Sequence, residues 1–214
     1  MTTPPVAVYG SGGFAREVAW LAEVCGHQVV CFIDDDSSRI GKRLNDIDVV
    51  SLDVAASRFP DAGVVAAIGS PVGRVTVVGR AIARRLRPAT LIHPRVERSR
   101  WITLGTGAVI CAGNILTTNI AIGDYVQVNL DCTIGHDVML DDFSTLAPGV
   151  HVSGCVHVGK RAYIGTGATI INGTPDQPLV VGDDAVVGAG ACVTRSVEPG
   201  VTVVGVPARP LSKR

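Results

Sequence analysis

Every sixth residue from Leu104 is aliphatic: Leu104, Ile110, Leu116, Ile122, Val128, Ile134, Leu140, Leu146, Val152, Val158, Ile164 and Ile170. The phase then slips by five residues and resumes at Val181, Val187 and Val193. Four places after many of these stands a small side chain, as at Ala108, Cys132, Ser144, Ala162, Ala168, Ala185 and Ala191. A period of six is not helical. It fits a short strand and a corner, with each aliphatic residue and the small residue two places before it on one side, because strand side chains alternate. Glycine often follows the aliphatic residue (Gly105, Gly123, Gly135, Gly159, Gly165, Gly182, Gly188), which predicts a tight corner opening on a residue with positive φ. Three sides close one triangular coil. The repeats then give about five coils, roughly 24 Å tall at ~4.8 Å per coil. Each coil buries its apolar side only against its neighbours, so the segment is a parallel β-helix. The phase slip marks an insertion between Ile171 and Val180, whose NGTPDQP segment is rich in turn residues and projects as a loop.

The first part of the chain has a different pattern. Val6 to Tyr9 is a short buried strand, followed by Gly10-Ser11-Gly12-Gly13-Phe14 and a helical stretch to about Cys25. Gln28 to Ile33 is a second strand, ending in Asp34-Asp35-Asp36, and Gly63 to Ile68 is a third, ending at Gly69. Val72, Val75, Val78, Ile82 and Leu86 form the apolar face of a following helix that carries Arg74, Arg80, Arg84 and Arg85 elsewhere. Strands alternating with helices imply a small parallel sheet, and ligands of such sheets bind beyond the carboxyl ends of the strands. The glycine loop, the Asp run and Gly69 all lie there. The loop is a partial dinucleotide fingerprint, with Ala15 in place of the third glycine. It suits a diphosphate at a helix N-terminus.

Composition narrows the class. The chain has 214 residues, 47% of them hydrophobic but only 4% aromatic, so Val, Ile, Leu and Ala must fill the core. Lys and Arg together equal Asp and Glu, leaving no net charge to attract nucleic acid or an anionic membrane. No apolar run reaches the ~18 residues of a membrane span. The opening MTTPPVAVYG lacks a basic n-region and a cleavage site, and the six cysteines include no C-x-x-C pair, so a cytoplasmic protein with reduced thiols is expected.

VYGSGGFAREV, FIDDD, AIGSPVGR, LIHPRV and NLDCTIGHDVMLDDFSTLAPGVHVSG follow one another in this order. The whole chain thereby resembles the bacterial sugar acetyltransferases of the PglD, PerB and NeuD type, within the hexapeptide-repeat acyltransferases. The resemblance implies an α/β N-terminal domain with a small Rossmann-like parallel sheet (residues 1–95), a left-handed parallel β-helix of hexapeptide repeats (96–200) and a C-terminal cap segment (201–214). It implies a homotrimer with active sites at subunit interfaces, acetyl-CoA as co-substrate in the groove between subunits, and a UDP- or GDP-linked amino sugar held by the N-terminal domain. It also assigns residues. His136 is the catalytic base and Asp137 its acidic neighbour. Gly10, Ser11, Gly12, Gly13, Phe14, Asp34, Asp35, Asp36, Gly69, Arg74 and Asn129 bind the sugar nucleotide. Thr145, Gly154, Gly167, Ala189, Pro207 and Arg209 bind acetyl-CoA, with Thr145 standing where some members carry a second histidine.

The residue types suit that chemistry. An amine attacks a thioester only after losing its proton, and imidazole titrates near neutrality. A neighbouring carboxylate orients the ring and stabilises the imidazolium. Cys132 could be proposed as a nucleophile, but its repeat position points inward. A metalloenzyme of the γ-carbonic anhydrase kind needs three converging histidines, and His136, His151 and His157 do not share a direction, so no metal is expected. A nicotinamide enzyme would leave the repeats idle. Acetylation of a sugar hydroxyl by the same base, or nucleotide-sugar binding without catalysis, remain alternatives.

Overall fold

The computed structural model describes residues 3–211; the first two residues of the opening segment and the last three of the cap segment lie outside it. The chain forms two compact units, dividing after Pro94. No helix among the described residues is long and apolar enough to cross a membrane.

The first unit is built on β1 (Val6–Tyr9), α1 (Gly13–Val24), β2 (Val29–Ile33), β3 (Arg43–Leu44), β4 (Ile47–Val50), α2 (Leu52–Arg58), β5 (Gly63–Ala66), α3 (Pro71–Ala83) and β6 (Arg87–Pro88). The sheet order is β3-β4-β2-β1-β5-β6. All pairings are parallel except β3 with β4. β1 lies at the centre and is fully buried, as its unbroken VAVY requires. The sequence pattern did not reveal β3, β4 or α2. Asn45 and Asp46, at φ 45° and 62°, form the two-residue turn that joins β3 to β4. Ser51 caps α2 by accepting from the Val54 amide at 3.3 Å, and Ser70 caps α3 by accepting from Gly73 at 3.2 Å.

The face assigned to α3 needs correction. Val72, Val75 and Ile82 are exposed, and the buried face is Arg74, Val77, Val78 and Ala81. Arg74 lies on the buried side, 1% exposed, and donates to the Ile68 carbonyl at 2.9 Å.

In the second unit each coil before the insertion pairs with the coil eighteen residues on, as in Ile134 with Val152 and Leu140 with Val158, and across the insertion the spacing is 23, as in Tyr163 with Val186. Ile110, Ile134, Leu140, Leu146, Ile164 and Ile170 are at most 1% exposed. Removing such a side chain from water stabilises the fold by roughly 1.5–3 kcal/mol. Positions two before them, such as Cys132 and Ala162, are buried on the same side. Residues 171–178 leave the coil as a loop, closed by reciprocal Thr174–Gln177 backbone bonds at 3.0 and 3.1 Å.

The reason given for the repeat glycines does not hold. Gly105, Gly123, Gly135, Gly159, Gly165, Gly182 and Gly188 do not have positive φ. The left-handed residue comes two places later, at Gly107, Gly113, Asn119, Tyr125, Asp131, Asp137, Phe143, Gly149, Cys155, Arg161, Gly167, Asp184 and Gly190. The repeat glycines are required by contact. A β-carbon at Gly135 would lie 2.7 Å from the Gly154 amide nitrogen, and one at Gly165 would lie 2.6 Å from that of Ala189. The next coil leaves no room for a side chain.

Candidate active site

The corners stack into three edges of the β-helix. One edge carries Thr118–Asn119, then His136–Asp137, then Gly154–Cys155, each pair one coil beyond the last, and the 171–178 loop leaves from the coil after. His136 and Asp137 are exposed, with side-chain accessibilities of 61% and 50%. The His136 Nδ1 and Asp137 Oδ2 atoms are 2.8 Å apart. Asn119 donates to the other carboxylate oxygen at 3.2 Å. The hydrogen bonds from His136 and Asn119 hold the Asp137 carboxyl below the usual carboxylate range. With Nδ1 engaged, Nε2 of the ring is left for other partners.

Three features set this geometry. Asp137 occupies the left-handed corner position at φ 57°, which Asp tolerates better than most residues. Its amide donates to the Thr118 carbonyl at 3.2 Å, and the Cys155 amide donates to the His136 carbonyl at 2.9 Å, so coils on both sides fix the pair. The ring lies flat on Gly154, where a β-carbon would be 2.5 Å from both Cε1 and Nε2.

Residues assigned to acetyl-CoA fall on more than one edge. Gly154 is buried beneath His136, whereas Gly167 and Ala189 belong to the adjacent edge of Gly149, Gly167 and Gly190. There, apart from the adjoining residues of the chain, nothing lies within 4 Å of a β-carbon at Gly167 or Gly190. Thr145 is 1% exposed in the strand that pairs with Gln127 and Tyr163, so it offers no surface to a ligand. Asn129 is 9% exposed and donates to the Leu146 carbonyl at 2.8 Å, joining two coils. Pro207 and Arg209 are exposed in the terminal segment, where Val203–Val204 pairs antiparallel with Arg209–Pro210. The other two histidines of the β-helix are separately engaged, His151 with Thr133 and His157 with Asp141, both at 2.8 Å. Burial pushes the Cys132 thiol up to about 11, which suits a packed side chain and not a nucleophile.

In the α/β unit the strand ends converge. Ser11 donates to Asp34, whose second oxygen accepts from the Asp36 amide at 2.9 Å. Arg39 reaches Ser11 Oγ at 3.2 Å and lies 3.8 Å from Asp34. Asp35 accepts from the Tyr9 hydroxyl at 2.9 Å and pairs with Arg80 at 2.5 Å. Burial and the Asp35 carboxylate push Tyr9 up to about 12, so it remains a donor. Asp34, Asp35, Ile40, Ser51, Leu52, Asp53, Arg80 and Arg84 line a cleft of about 400 Å³. Gly10, at φ 121°, packs so closely that a β-carbon would lie 2.9 Å from the Ala67 carbonyl oxygen. Gly12 and Gly13 are exposed at the N-terminus of α1, which has no side-chain cap and no acidic residue in its first turn. Phe14 is half-buried within that turn, and Gly69 is exposed at the end of the β5 strand segment. The Arg74 side chain is buried, and desolvation lowers its pKa to about 9. Tyr9, Arg39, Arg80 and Asn119 were not singled out from the sequence. No local pattern marks them: Tyr9, Arg80 and Asn119 meet partners 18 or more residues away, and Arg39 reaches Ser11 from 28 residues away besides the nearby Asp34.

A family model described as the PglD N-terminal domain matches residues 5–81. The GDP-perosamine N-acetyltransferase of Escherichia coli O157:H7 is 32% identical over 96% of both chains. Among solved structures, WeeI from Acinetobacter baumannii AYE is 36% identical with a TM-score of 0.88, covering 98% of this chain and 100% of its own. A variant of perosamine N-acetyltransferase from Caulobacter crescentus, in complex with CoA and GDP-perosamine, is 30% identical with a TM-score of 0.89, covering 98% and 97%. The acetyltransferase domain of PglB from Neisseria gonorrhoeae FA1090, in complex with acetyl coenzyme A, is 32% identical with a TM-score of 0.81, covering 98% and 100%.

Proposed function

The chain belongs to the bacterial nucleotide-sugar acetyltransferases of the PglD, PerB and NeuD type, and we propose that it transfers the acetyl group of acetyl-CoA to the amine of a nucleotide-linked amino sugar. The observation that carries this reading is the His136–Asp137 pair, held at 2.8 Å on an open edge of the β-helix. His136 Nε2 takes a proton from the amine as its nitrogen attacks the thioester carbonyl. The imidazolium that forms is stabilised by Asp137, which Asn119 keeps in place. When the C–S bond breaks, the departing thiolate takes that proton, and His136 returns to its starting form. The developing oxyanion needs an N–H donor, and the Gly154 amide beside the ring is the candidate.

The residues present fit acetyl-CoA. The glycines at 149, 167 and 190 support a course for the pantetheine arm along this edge, with Ala189 beside it, and the exposed Pro207 and Arg209 would meet the adenine end. This edge and the His136 edge are different corners of one prism. Their separation supports a homotrimer, in which the His136 edge of one subunit meets the glycine edge of the next.

The nucleotide sits at the strand ends of the α/β unit, its diphosphate on the uncapped N-terminus of α1 at Gly12 and Gly13. The base and ribose meet Asp34, Asp35 and Arg80. The GDP-perosamine relatives favour a GDP-linked 4-amino sugar over a UDP-linked one. Six free cysteines and a need for acetyl-CoA fit a cytoplasmic enzyme. The deciding experiment follows thiol release from acetyl-CoA with UDP-, GDP-, dTDP- and CMP-linked amino sugars. Turnover with a GDP-linked amine is expected. Turnover only on sugar hydroxyls would make it an O-acetyltransferase, and none on any member would make it a binding protein.

A further inference from the structure

We propose that His136, Asp137 and Cys155 form a zinc site through which zinc inhibits the enzyme. The imidazole, carboxylate and thiol each bring one ligand atom to within 4.8 Å of the other two. This is the borderline-soft N, O and S set that zinc prefers. Bound tetrahedrally, zinc at ~2.0–2.3 Å from each atom would hold them about 3.4–3.6 Å apart. The contraction required is about 1 Å, and the two exposed side chains can supply it.

Several features prepare the site. Cys155 is the residue after Gly154, in the coil directly beyond Asp137, and has the same left-handed backbone at φ 56°. Its amide is bonded to the His136 carbonyl at 2.9 Å, and its carbonyl accepts from Leu179 at 3.1 Å, so the backbone that carries the thiol is fixed from both sides. Gly154 contributes no side chain that could screen the thiol from the ring. Asn119 holds Asp137 Oδ1, as an outer partner commonly orients a ligating carboxylate, and the metal would take Oδ2 in place of its hydrogen bond with His136 Nδ1. Zinc displaces the thiol proton to solvent and takes an imidazole lone pair. The fourth position faces outward from the edge and accepts water. Catalysis as proposed needs no metal, so occupation removes the base and inhibits. The inhibitory consequence rests on the assignment of His136 as base, whereas zinc binding at the cluster does not.

The test uses the full chain. Zinc chloride is titrated calorimetrically and in competition with a chromophoric zinc indicator. Cobalt(II) serves as a spectroscopic probe, and acetyl transfer is measured in parallel. Wild type is expected to bind one zinc per chain with micromolar or tighter affinity, to give a thiolate-to-cobalt charge-transfer band, and to lose activity as zinc binds. Cys155→Ala, or Cys155→Gly if the left-handed backbone disfavours alanine, should weaken zinc binding at least tenfold and abolish the band. Without zinc, both variants should keep acetyl transfer within about twofold of wild type. Variants that bind zinc as tightly as wild type, or a wild type without the thiolate band, would overturn the site. Zinc binding with the band but without inhibition would leave the site standing and count against His136 as the base.

Discussion

The imidazole of His136 occupies the space in which residue 154 would carry its β-carbon, 2.5 Å from both Cε1 and Nε2. Gly154 is therefore the floor of the ring, and the glycine is explained by a side chain eighteen residues earlier.

Gly154→Ala tests this directly. The backbone at 154 is not in the left-handed region and the ring is exposed, so the new methyl group should push the imidazole aside without unfolding the coil. A displacement of about 1 Å in a catalytic group costs on the order of 10²-fold, so kcat should fall about 10–100-fold while Tm moves by only a few degrees. A rise in the acetyl-CoA KM at unchanged kcat would mean that the glycine serves the co-substrate and not the ring.

His136→Ala should lower kcat by roughly 10²–10⁴, the usual contribution of a positioned general base, with both substrates still bound. Retention of more than about a third of wild-type turnover at saturation would refute the assignment. Asp137→Asn should cost less, because an amide keeps the left-handed corner and one hydrogen bond.

The pH profile separates the two residues. The Asp137 carboxyl is held below its ordinary value, so its favourable contribution is fully present above about pH 4 and fades only as pH falls through the lowered value. An acid limb in kcat/KM between about pH 5 and 8 therefore does not belong to Asp137. It should survive in Asp137→Asn, and in His136→Ala only the part due to the substrate amine should remain.

Asp35 and Arg80 face the 400 Å³ cleft as a pair. Asp35→Ala should raise the KM for the sugar nucleotide by about tenfold, as expected for one lost charge-assisted hydrogen bond, and leave that for acetyl-CoA unchanged. Equal effects on both substrates would remove the nucleotide from this unit. Asp34→Ala should in addition lower Tm, since Asp34 also ties Ser11 and the Asp36 amide together.

Arg74→Ala should act on stability. It empties a buried volume and frees the Ile68 carbonyl, a loss of about 2–4 kcal/mol by analogy with large-to-small core changes. Thermal or urea denaturation measures it. A variant with wild-type stability but a raised sugar-nucleotide KM would restore Arg74 to the binding site.

Several features could be read from the sequence because their cause is local and repeated. The hexad series needs only one apolar side chain facing inward on each side of each coil, so twelve successive positions all report one architecture. The glycine loop and the Asp run could be read because strands end where ligands approach. His136 and Asp137 were identified through the motif around them, and their outward placement followed from lying between inward Ile134 and Val138. Residues 37–62 gave no such signal: a two-residue turn at Asn45–Asp46 and a seven-residue helix are too short to show a period.

What only the tertiary structure decided concerns contacts between coils and between strand ends. Gly135 and Gly154 are glycines because of atoms eighteen or so residues away, not because of their own φ. Cys155 lies beside the His136–Asp137 pair because coil register stacks the two corners. Arg74 is buried and Val72 exposed, the reverse of what side-chain polarity suggests; the buried guanidinium finds an acceptor in the Ile68 carbonyl. A hydropathy pattern records which side of an element is apolar on average. Shape and hydrogen-bond demand at one point come from neighbours that are remote in sequence, and only packing brings them together.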